Sequence, residues 1–271
     1  MNRRKTEPPR GVLNTPAADP SRYQHARFHP SPDLAPYVEH YWSVQWDLRG
    51  RAPERAETLP HPSVHMIFER PAGSRIAGVA RGKFSKMLEG SGGAIAAKFT
   101  PGGFYAFANV AISTLTDKIV DLDRIFGADG RAFDRRVARA GDDATRIWII
   151  EAFLRSRDPA PDEQAARASE IVYAVAGDRS IVKVEDLVAR FGMKTRTLQR
   201  LFAKYVGVSP KWVIQRYRLH EAAEQLLRPS VNQTELALHL GYSDQAHFVR
   251  DFKAIVGTSP AAYARRTRQP A

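Results

Sequence analysis

The sequence predicts an α+β protein in which a strand-rich N-terminal portion precedes an all-helical C-terminal portion. Three observations support this prediction. Apolar residues alternate with a period of two between about residue 35 and about residue 110. After Asn109 the apolar residues recur at the three- and four-residue spacing of an amphipathic helix. Near the C-terminus, a unit of about 50 residues occurs twice.

The length and composition limit the classes of protein to which this chain can belong. A chain of 271 residues is long enough for about two domains. The formal charge of +12 suits a polyanionic partner, either nucleic acid or an anionic membrane face. Residues 180–271 hold fifteen Lys and Arg against seven Asp and Glu, so the positive charge is concentrated at the C-terminal end.

Cysteine is absent from the chain. Its absence excludes disulfides, thiolate metal sites and a cysteine nucleophile, and it fits a cytoplasmic location. No apolar run approaches the roughly 20 residues of a membrane span. The basic start MNRRKTEPPRG is followed by no apolar stretch, so we expect neither a secretory signal nor a membrane partner.

Composition and periodicity divide the chain into four parts. Residues 1–22 are rich in proline and charge and are predicted to be a disordered tail. Residues 23–155 are predicted to form a β-rich domain with C-terminal helices, because "YWSVQWDL" and "SVHMIFE" alternate like half-buried strands. Residues 156–165 form a proline-rich break that predicts a linker. Residues 166–268 are predicted to form a second, helical domain.

The repeat in the helical portion has a fixed internal order. Each copy predicts a short amphipathic helix, a glycine (Gly192 or Gly241), a second helix with one polar face, and a Ser-Pro pair that starts another helix. The units span about 184–205 and 233–255, and a helix over 210–227 joins them. The offset between copies grows from 49 to 50 just after the first glycine, so the second copy contains one extra residue there.

A helix, a tight glycine turn and a helix with a polar outer face indicate a helix-turn-helix. The second helix of such a unit, called the recognition helix, fits the major groove of B-DNA. Arg pairs there with guanine and Gln with adenine. The candidate DNA-binding residues are Thr195, Arg196, Gln199 and Arg200 in the first unit and Ser243, Asp244, Gln245, His247 and Arg250 in the second. Candidate phosphate contacts are Lys204, Lys211, Arg216, Arg218 and Lys253.

Two other interpretations of the repeat remain open at this point. A polar helix face is most often simply solvated. A helical scaffold for protein binding is also conceivable, although a solenoid needs roughly three or more repeats. Two matching copies with matching turns and a local positive charge favour DNA binding.

The helical portion resembles the DNA-binding region of the AraC/XylS family of bacterial transcription regulators. The resemblance rests on "VEDLVARFGMKTRTLQRLFAKYVGVSPKWVIQRYRLHEAAEQLL" and "ELALHLGYSDQAHFVRDFKAIVGTSPAAYARR" and covers about a third of the chain. It implies that two helix-turn-helix units enter successive major grooves of double-stranded DNA. Lys194 stands where the family usually has Ser, and Thr195 is the nearest capping oxygen. The second helix of the first unit is therefore expected either to start one residue later or to be less well capped, by up to ~1 kcal/mol.

The strand-rich portion is similar to the companion domain of one AraC-like subgroup. "PYVEHYWSVQWDL", "ETLPHPSVHMIFE" and "KFTPGGFYAF" support this resemblance. It implies a small cupin-like β-barrel that senses a small-molecule effector or mediates homodimerisation. The family also implies a contact with RNA polymerase, no cofactor and no catalysis.

An alternative function is a cupin-like metal-binding enzyme that carries a basic helical interaction domain. His40, His61 and His65, with Glu57 and Glu69 nearby, raise this alternative. However, prolines flank His61, and no H-x-H or H-E-x-x-H spacing occurs. The residues therefore favour structural or pocket-lining histidines over a metal site.

Overall fold

The computed structural model describes residues 11–14, 22–70, 73–228 and 231–268. The strands are β1 Val12–Asn14, β2 Tyr23–Phe28, β3 Val38–Asp47, β4 Glu54–Thr58, β5 His65–Arg70, β6 Gly73–Ala77, β7 Phe84–Leu88, β8 Ser91–Phe99 and β9 Ile119–Asp121. The helices are α1 Tyr105–Ala108, α2 Leu122–Arg139, α3 Asp143–Arg155, α4 Glu163–Gly177, α5 Val184–Phe191, α6 Thr195–Tyr205, α7 Pro210–Leu226, α8 Gln233–His239, α9 Gln245–Val256 and α10 Pro260–Arg268. None of these helices is both long enough and apolar enough to cross a bilayer.

The β-rich domain contains two antiparallel sheets, and a helical domain follows it. This arrangement confirms the predicted α+β class. One sheet has three strands in the order β1-β4-β7, and the other has six in the order β2-β3-β8-β5-β6-β9. Trp46 of the larger sheet packs with Leu88 of the smaller one, so the two sheets meet through apolar side chains. The opposite face of the larger sheet, including Tyr41 and Met66, packs in one core with residues of α2 and α3.

The N-terminal segment departs from the sequence-based prediction. Residues 1–10 and 15–21 lie outside the described residues, but Val12–Asn14 pairs with β4 as a strand. Leu13 is buried in a core that includes Leu59 and Leu219. The predicted disordered tail over 1–22 is therefore wrong for residues 12–14. The segment GVL has too little apolar surface to fold alone and gains order from partners distant in sequence.

The connection between the two domains is shorter than the predicted linker over 156–165. Helix α3 ends at Arg155, and α4 already begins at Glu163. The Asp162 carboxylate accepts hydrogen bonds from the backbone N–H groups of Gln164 and Ala165, at 2.8 and 3.1 Å. An Asp at this position caps the helix, so the charged end of the proline-rich break belongs to α4.

The helical domain has two cores that share helix α7. Val213 and Ile214, near the start of α7, pack in the core of the first helix-turn-helix unit. Leu219 and Leu226, further along α7, pack in the core of the second. One continuous helix thus connects the packing of the two units.

The β-rich domain contributes side chains to both cores of the helical domain. Val79, which follows β6, is buried among residues of the first unit. Leu13 and Leu59 are buried among residues of the second unit. Full burial of an apolar side chain of this size is worth about 1.5–3 kcal/mol, so the domains stabilise each other.

Candidate nucleic-acid interface

The turn of the first unit is built on Gly192. Helix α5 ends there, with Gly192 in the left-handed conformation at φ 61°. A residue with a Cβ adopts this conformation only at a cost, so the predicted glycine turn is confirmed. Helix α6 starts at Thr195 after Lys194, whose side chain makes no capping hydrogen bond. The expected weaker cap at Lys194 is therefore confirmed as well.

The second unit makes the same turn at Gly241, at φ 75°, but starts its recognition helix differently. Helix α9 begins at Gln245, four positions after Gly241, whereas α6 begins three positions after Gly192. The Asp244 carboxylate caps α9 by accepting a hydrogen bond from the backbone N–H of His247 at 2.7 Å. The extra residue of the second copy thus accommodates a capped helix start.

Each recognition helix places its apolar face inward and its polar face outward. Leu198 and Phe202 of α6 and Phe248 and Phe252 of α9 have no solvent exposure. The side chains of all nine candidate DNA-binding residues are exposed, namely Thr195, Arg196, Gln199, Arg200, Ser243, Asp244, Gln245, His247 and Arg250. Both helices can therefore present polar side chains to a partner without disturbing their cores.

Asp244 differs from the other candidates because its carboxylate has a structural partner. The backbone N–H of His247 and the Ser243 hydroxyl hold the pKa of the Asp244 carboxyl below its usual range. An ionised carboxylate stabilises the start of a helix and repels a phosphate. The geometry thus gives Asp244 a positioning role at the start of α9.

The side chains beside Asp244 are also oriented by hydrogen bonds. The Gln245 amide oxygen accepts a hydrogen bond from the Thr234 hydroxyl at 2.9 Å. This bond leaves the NH₂ group of Gln245 to donate elsewhere. His247 lies 3.4 Å from the Ser243 hydroxyl and 3.7 Å from the Asp251 carboxylate. These contacts orient the side chains of Gln245 and His247 before any partner binds.

In the first unit, Arg196 and Arg200 are four residues apart and share one stripe of α6. Neither guanidinium bonds to any residue that the structure describes. Gln199 lies beside this stripe and borders a groove against the β-rich domain. The two arginines are thus free to bind a ligand, whereas Gln199 lies at a junction.

Helix α7 is bonded to both units. Its start is capped by Ser209, whose hydroxyl accepts from the Trp212 N–H at 3.2 Å, and Pro210 follows as predicted. Arg218 donates to the carbonyl of Val182, next to the first unit. Gln215 donates to the Asp251 carboxylate of α9 at 2.5 Å. Helix α7 thus bonds directly to α9 and to the segment that leads into the first unit.

The prediction of Arg216 as a phosphate contact is wrong. Its side chain is 1% exposed, stacks on Trp212 at 4.5 Å and donates to the backbone carbonyl of Arg81. Burial lowers the pKa of the Arg216 guanidinium to about 10. Arg216 lies three residues from both Val213 and Leu219 and therefore shares their buried face of the helix.

The remaining candidate phosphate contacts have different surroundings. Lys204 lies 4.7 Å from the centre of the Tyr105 ring and 4.8 Å from that of Tyr205, at the domain junction. Arg218 is partly buried above Tyr242. Lys211 and Lys253 are exposed. Of these four candidates, Lys211 and Lys253 are therefore the two whose ammonium groups best suit a contact with phosphate.

The three histidines that raised the metal-binding alternative have packing or hydrogen-bonding roles. His40 lies 3.3 Å from the Glu39 carboxylate, and His65 accepts a hydrogen bond from the Trp42 indole at 3.1 Å. Burial lowers the pKa of His40 to about 4 and that of His65 to about 3. His61 stacks on His220 of α7 at 4.2 Å.

Metal binding was the basis of the alternative function. Within the described ranges, no three His, Cys, Asp or Glu side chains are arranged to hold a metal ion. The residues that raised the alternative instead pair with basic groups: Glu57 with Lys83 at 2.6 Å, and Glu69 with Arg75 at 3.3 Å.

The sequence contains no local pattern that predicts the contacts between the β-rich domain and α6. The Thr116 hydroxyl donates to the carbonyl of Gly207, just after α6, at 2.6 Å. A 3-10 turn at Ile112–Thr114 lies beside the same helix. These contacts join residues about 90 positions apart, so no local pattern could indicate them.

Comparison with known proteins identifies two matched regions. Residues 187–266 match the model of a helix-turn-helix domain. Residues 26–121 match a domain of unknown function, DUF6597. The first match covers both recognition helices, and the second covers most of the β-rich domain.

The related proteins are regulators of transcription. The HTH-type transcriptional activator AarP of Providencia stuartii is 32% identical over 101 residues, which are 37% of this chain and 75% of AarP. The uncharacterized HTH-type transcriptional regulator YfiF of Bacillus subtilis is 29% identical over 138 residues, 49% of this chain and 44% of YfiF. The chain thus spans less than half of the length of YfiF.

Among solved structures, one match is a probable AraC family transcriptional regulator from Rhodopseudomonas palustris. It is 27% identical, with a TM-score of 0.34, and the match covers 39% of this chain and 98% of that one. A second is ToxT of Vibrio cholerae, 11% identical with a TM-score of 0.42, over 83% of this chain and 97% of ToxT.

Proposed function

Because the chain belongs to the AraC family of helix-turn-helix transcriptional regulators, we propose that it regulates transcription by binding specific sequences in double-stranded DNA. Helices α6 and α9 enter two successive major grooves. The observation that supports this most strongly is that α7 packs in the cores of both units while both polar faces stay exposed. At 17 residues, α7 is about 26 Å long, which is comparable to the ~34 Å of one turn of DNA.

The exposed side chains divide into roles by their chemistry. Arg196, Arg200 and Arg250 read guanine through bidentate hydrogen bonds, and Gln245 reads adenine. The remaining candidates contact phosphates or sugars and set the register of the helices, except for Asp244, which caps α9. Because the residues of the two units differ in kind and in starting position, the two helices read different bases.

The β-rich domain acts as the regulatory part in this proposal. It buries side chains in the cores of both units, so a change in its conformation reaches both recognition helices. A small-molecule effector, a second copy of the chain and RNA polymerase are the partners that would make use of this connection. The protein acts in the cytoplasm, where its DNA target lies.

The proposal is tested by selecting binding sequences from a random duplex library with the full chain. The selected duplex is then footprinted with the unaltered protein and with Arg250→Ala. The variant should lose roughly 1–3 kcal/mol of specific binding and relax the base preference at one position, because one bidentate contact is removed. Arg135→Ala serves as the control, since Arg135 is an exposed arginine on α2 of the β-rich domain.

Any of three results would contradict the proposal or a part of it. Failure to enrich any duplex would show that the chain does not read a sequence. An Arg250→Ala protein with unchanged affinity and footprint would show that α9 does not enter the groove through this face. Equal losses in the Arg250 and Arg135 variants would indicate a general charge effect and would contradict the specific role of Arg250.

A further inference from the structure

A groove separates the first recognition helix from the β-rich domain. Its volume is about 330 Å³, enough for roughly ten water molecules, and it lies beside the hydrogen bond that joins Thr116 to the carbonyl of Gly207. One wall is formed by Gln199 and Ala203 of α6, and the opposite wall by Arg81, Ser113 and Thr116. The lining includes hydroxyl, amide and guanidinium groups and no carboxylate.

Arg81 is the cation at the rim of this groove. Its side chain is 64% exposed, and its Nε donates to the Asp117 carboxylate at 2.5 Å. The two terminal nitrogens of its guanidinium make no bond to any part of the chain that the structure describes. Because Asp117 bonds only to Nε of the guanidinium, the N–H groups of the two terminal nitrogens remain able to bind a phosphate bidentately.

The position of Arg81 is fixed relative to the recognition helix. Its backbone N–H donates to Asp117 at 2.7 Å, and its carbonyl accepts from the buried Arg216 of α7. Two residues earlier, Val79 is buried in the core of the first unit. The loop that holds Arg81 is therefore attached to the DNA-binding domain, which lowers the entropy cost of a contact with DNA.

We propose that Arg81, a residue of the β-rich domain, binds a backbone phosphate of the DNA that α6 reads. The phosphate lies at the mouth of the groove between Arg81 and Gln199, where Ser113 offers a further hydroxyl. The contact adds affinity and no sequence information, because phosphates are the same at every base pair. This inference rests on the proposed function, since it assumes that α6 binds DNA.

The second unit lacks an equivalent contact from the same loop. Lys83 is 29% exposed, and its ammonium lies 2.6 Å from the carboxylate of Glu57, which is almost fully buried. A cation bound to a buried carboxylate is already neutralised and is not available to a phosphate. Of the two cations in this loop, Arg81 and Lys83, Arg81 is thus the one available to a phosphate.

The test measures binding of the full chain to the selected duplex and to a scrambled duplex over a range of KCl concentrations. For Arg81→Gln, the slope of log affinity against log [KCl] should become shallower by about 0.9, the value for one lost phosphate contact. Both duplexes should be weakened by the same factor. Arg81→Lys keeps the charge and should keep the slope.

Arg49→Gln is the matched control. Arg49 is also an exposed arginine of the β-rich domain that donates through Nε to an aspartate, Asp47, but it lies in the turn after β3. A second arm uses Ser113→Glu, which adds a negative charge to the groove from an exposed position. This variant should weaken binding to both duplexes, and it remains informative if Arg81→Gln unfolds.

The outcomes separate this inference from the proposed function. If the unaltered chain binds neither duplex, both are overturned. If it binds and Arg81→Gln keeps the original slope, or Ser113→Glu binds as well as the unaltered chain, only the phosphate contact is overturned. A slope that changes equally in the Arg81 and Arg49 variants also overturns it, because the effect is then one of net charge.

Discussion

The two helix-turn-helix units share an architecture but hold their recognition helices by different means. In the second unit, Asp244 caps α9 within the local sequence. In the first unit, Lys194 provides no cap, and the end of α6 is instead held by the β-rich domain through Thr116 and Tyr105. The start of the second recognition helix is therefore capped by its own sequence, whereas the end of the first is bonded to the neighbouring domain.

This difference has a functional consequence. Under the proposed regulatory role, a change in the β-rich domain would reach α6 through direct contacts at its C-terminal end. It reaches α9 mainly through the shared core around Leu13 and Leu59. We therefore expect the first unit to respond to the state of the β-rich domain through hydrogen bonds and the second through packing.

The largest expected effect comes from removing an apolar anchor that the β-rich domain places in the second unit. Leu59 is 1% exposed, so Leu59→Ala leaves a cavity and should lower the free energy of unfolding by about 2–5 kcal/mol. Leu238→Ala, at an exposed leucine of α8, should change it by less than about 0.5 kcal/mol. Urea unfolding of both variants measures the difference. Equal stabilities would mean that the second unit does not depend on the β-rich domain.

A smaller effect is expected from the helix caps. Asp244→Ala should destabilise α9 by about 1 kcal/mol, because the N–H of His247 loses its acceptor. Lys194→Ser should instead stabilise α6 by up to about 1 kcal/mol, because it supplies the missing cap. Hydrogen exchange of the amides in each helix reports the two changes separately. If Asp244→Ala leaves hydrogen exchange in α9 unaltered, the Asp244 cap does not stabilise α9.

Local features of the fold could be predicted from the sequence because they depend on neighbouring residues. The glycine turns at Gly192 and Gly241 and the Ser-Pro helix starts follow from spacing within about ten positions. The extra residue before α9 follows from aligning the two copies of the repeat. The exposed faces of α6 and α9 follow from helical periodicity in the same way.

Contacts between distant segments could not be predicted from the sequence. Burial of Leu13 and Val79 depends on how the two domains pack, so the predicted disordered tail was wrong at residues 12–14. Arg216 was misassigned because its charge was considered without its position on α7. Its three-residue spacing from Val213 and Leu219 was the available signal that its side chain faces inward.

In the proposed complex, α7 holds two recognition helices at a fixed separation on one face of DNA. Insertion of five base pairs between the two selected half-sites rotates one of them by about half a turn. We expect affinity to fall to that of a single half-site, and insertion of ten base pairs not to restore it, because α7 cannot lengthen. Unchanged affinity after the five-base-pair insertion would mean that α7 does not hold the two helices at a fixed separation.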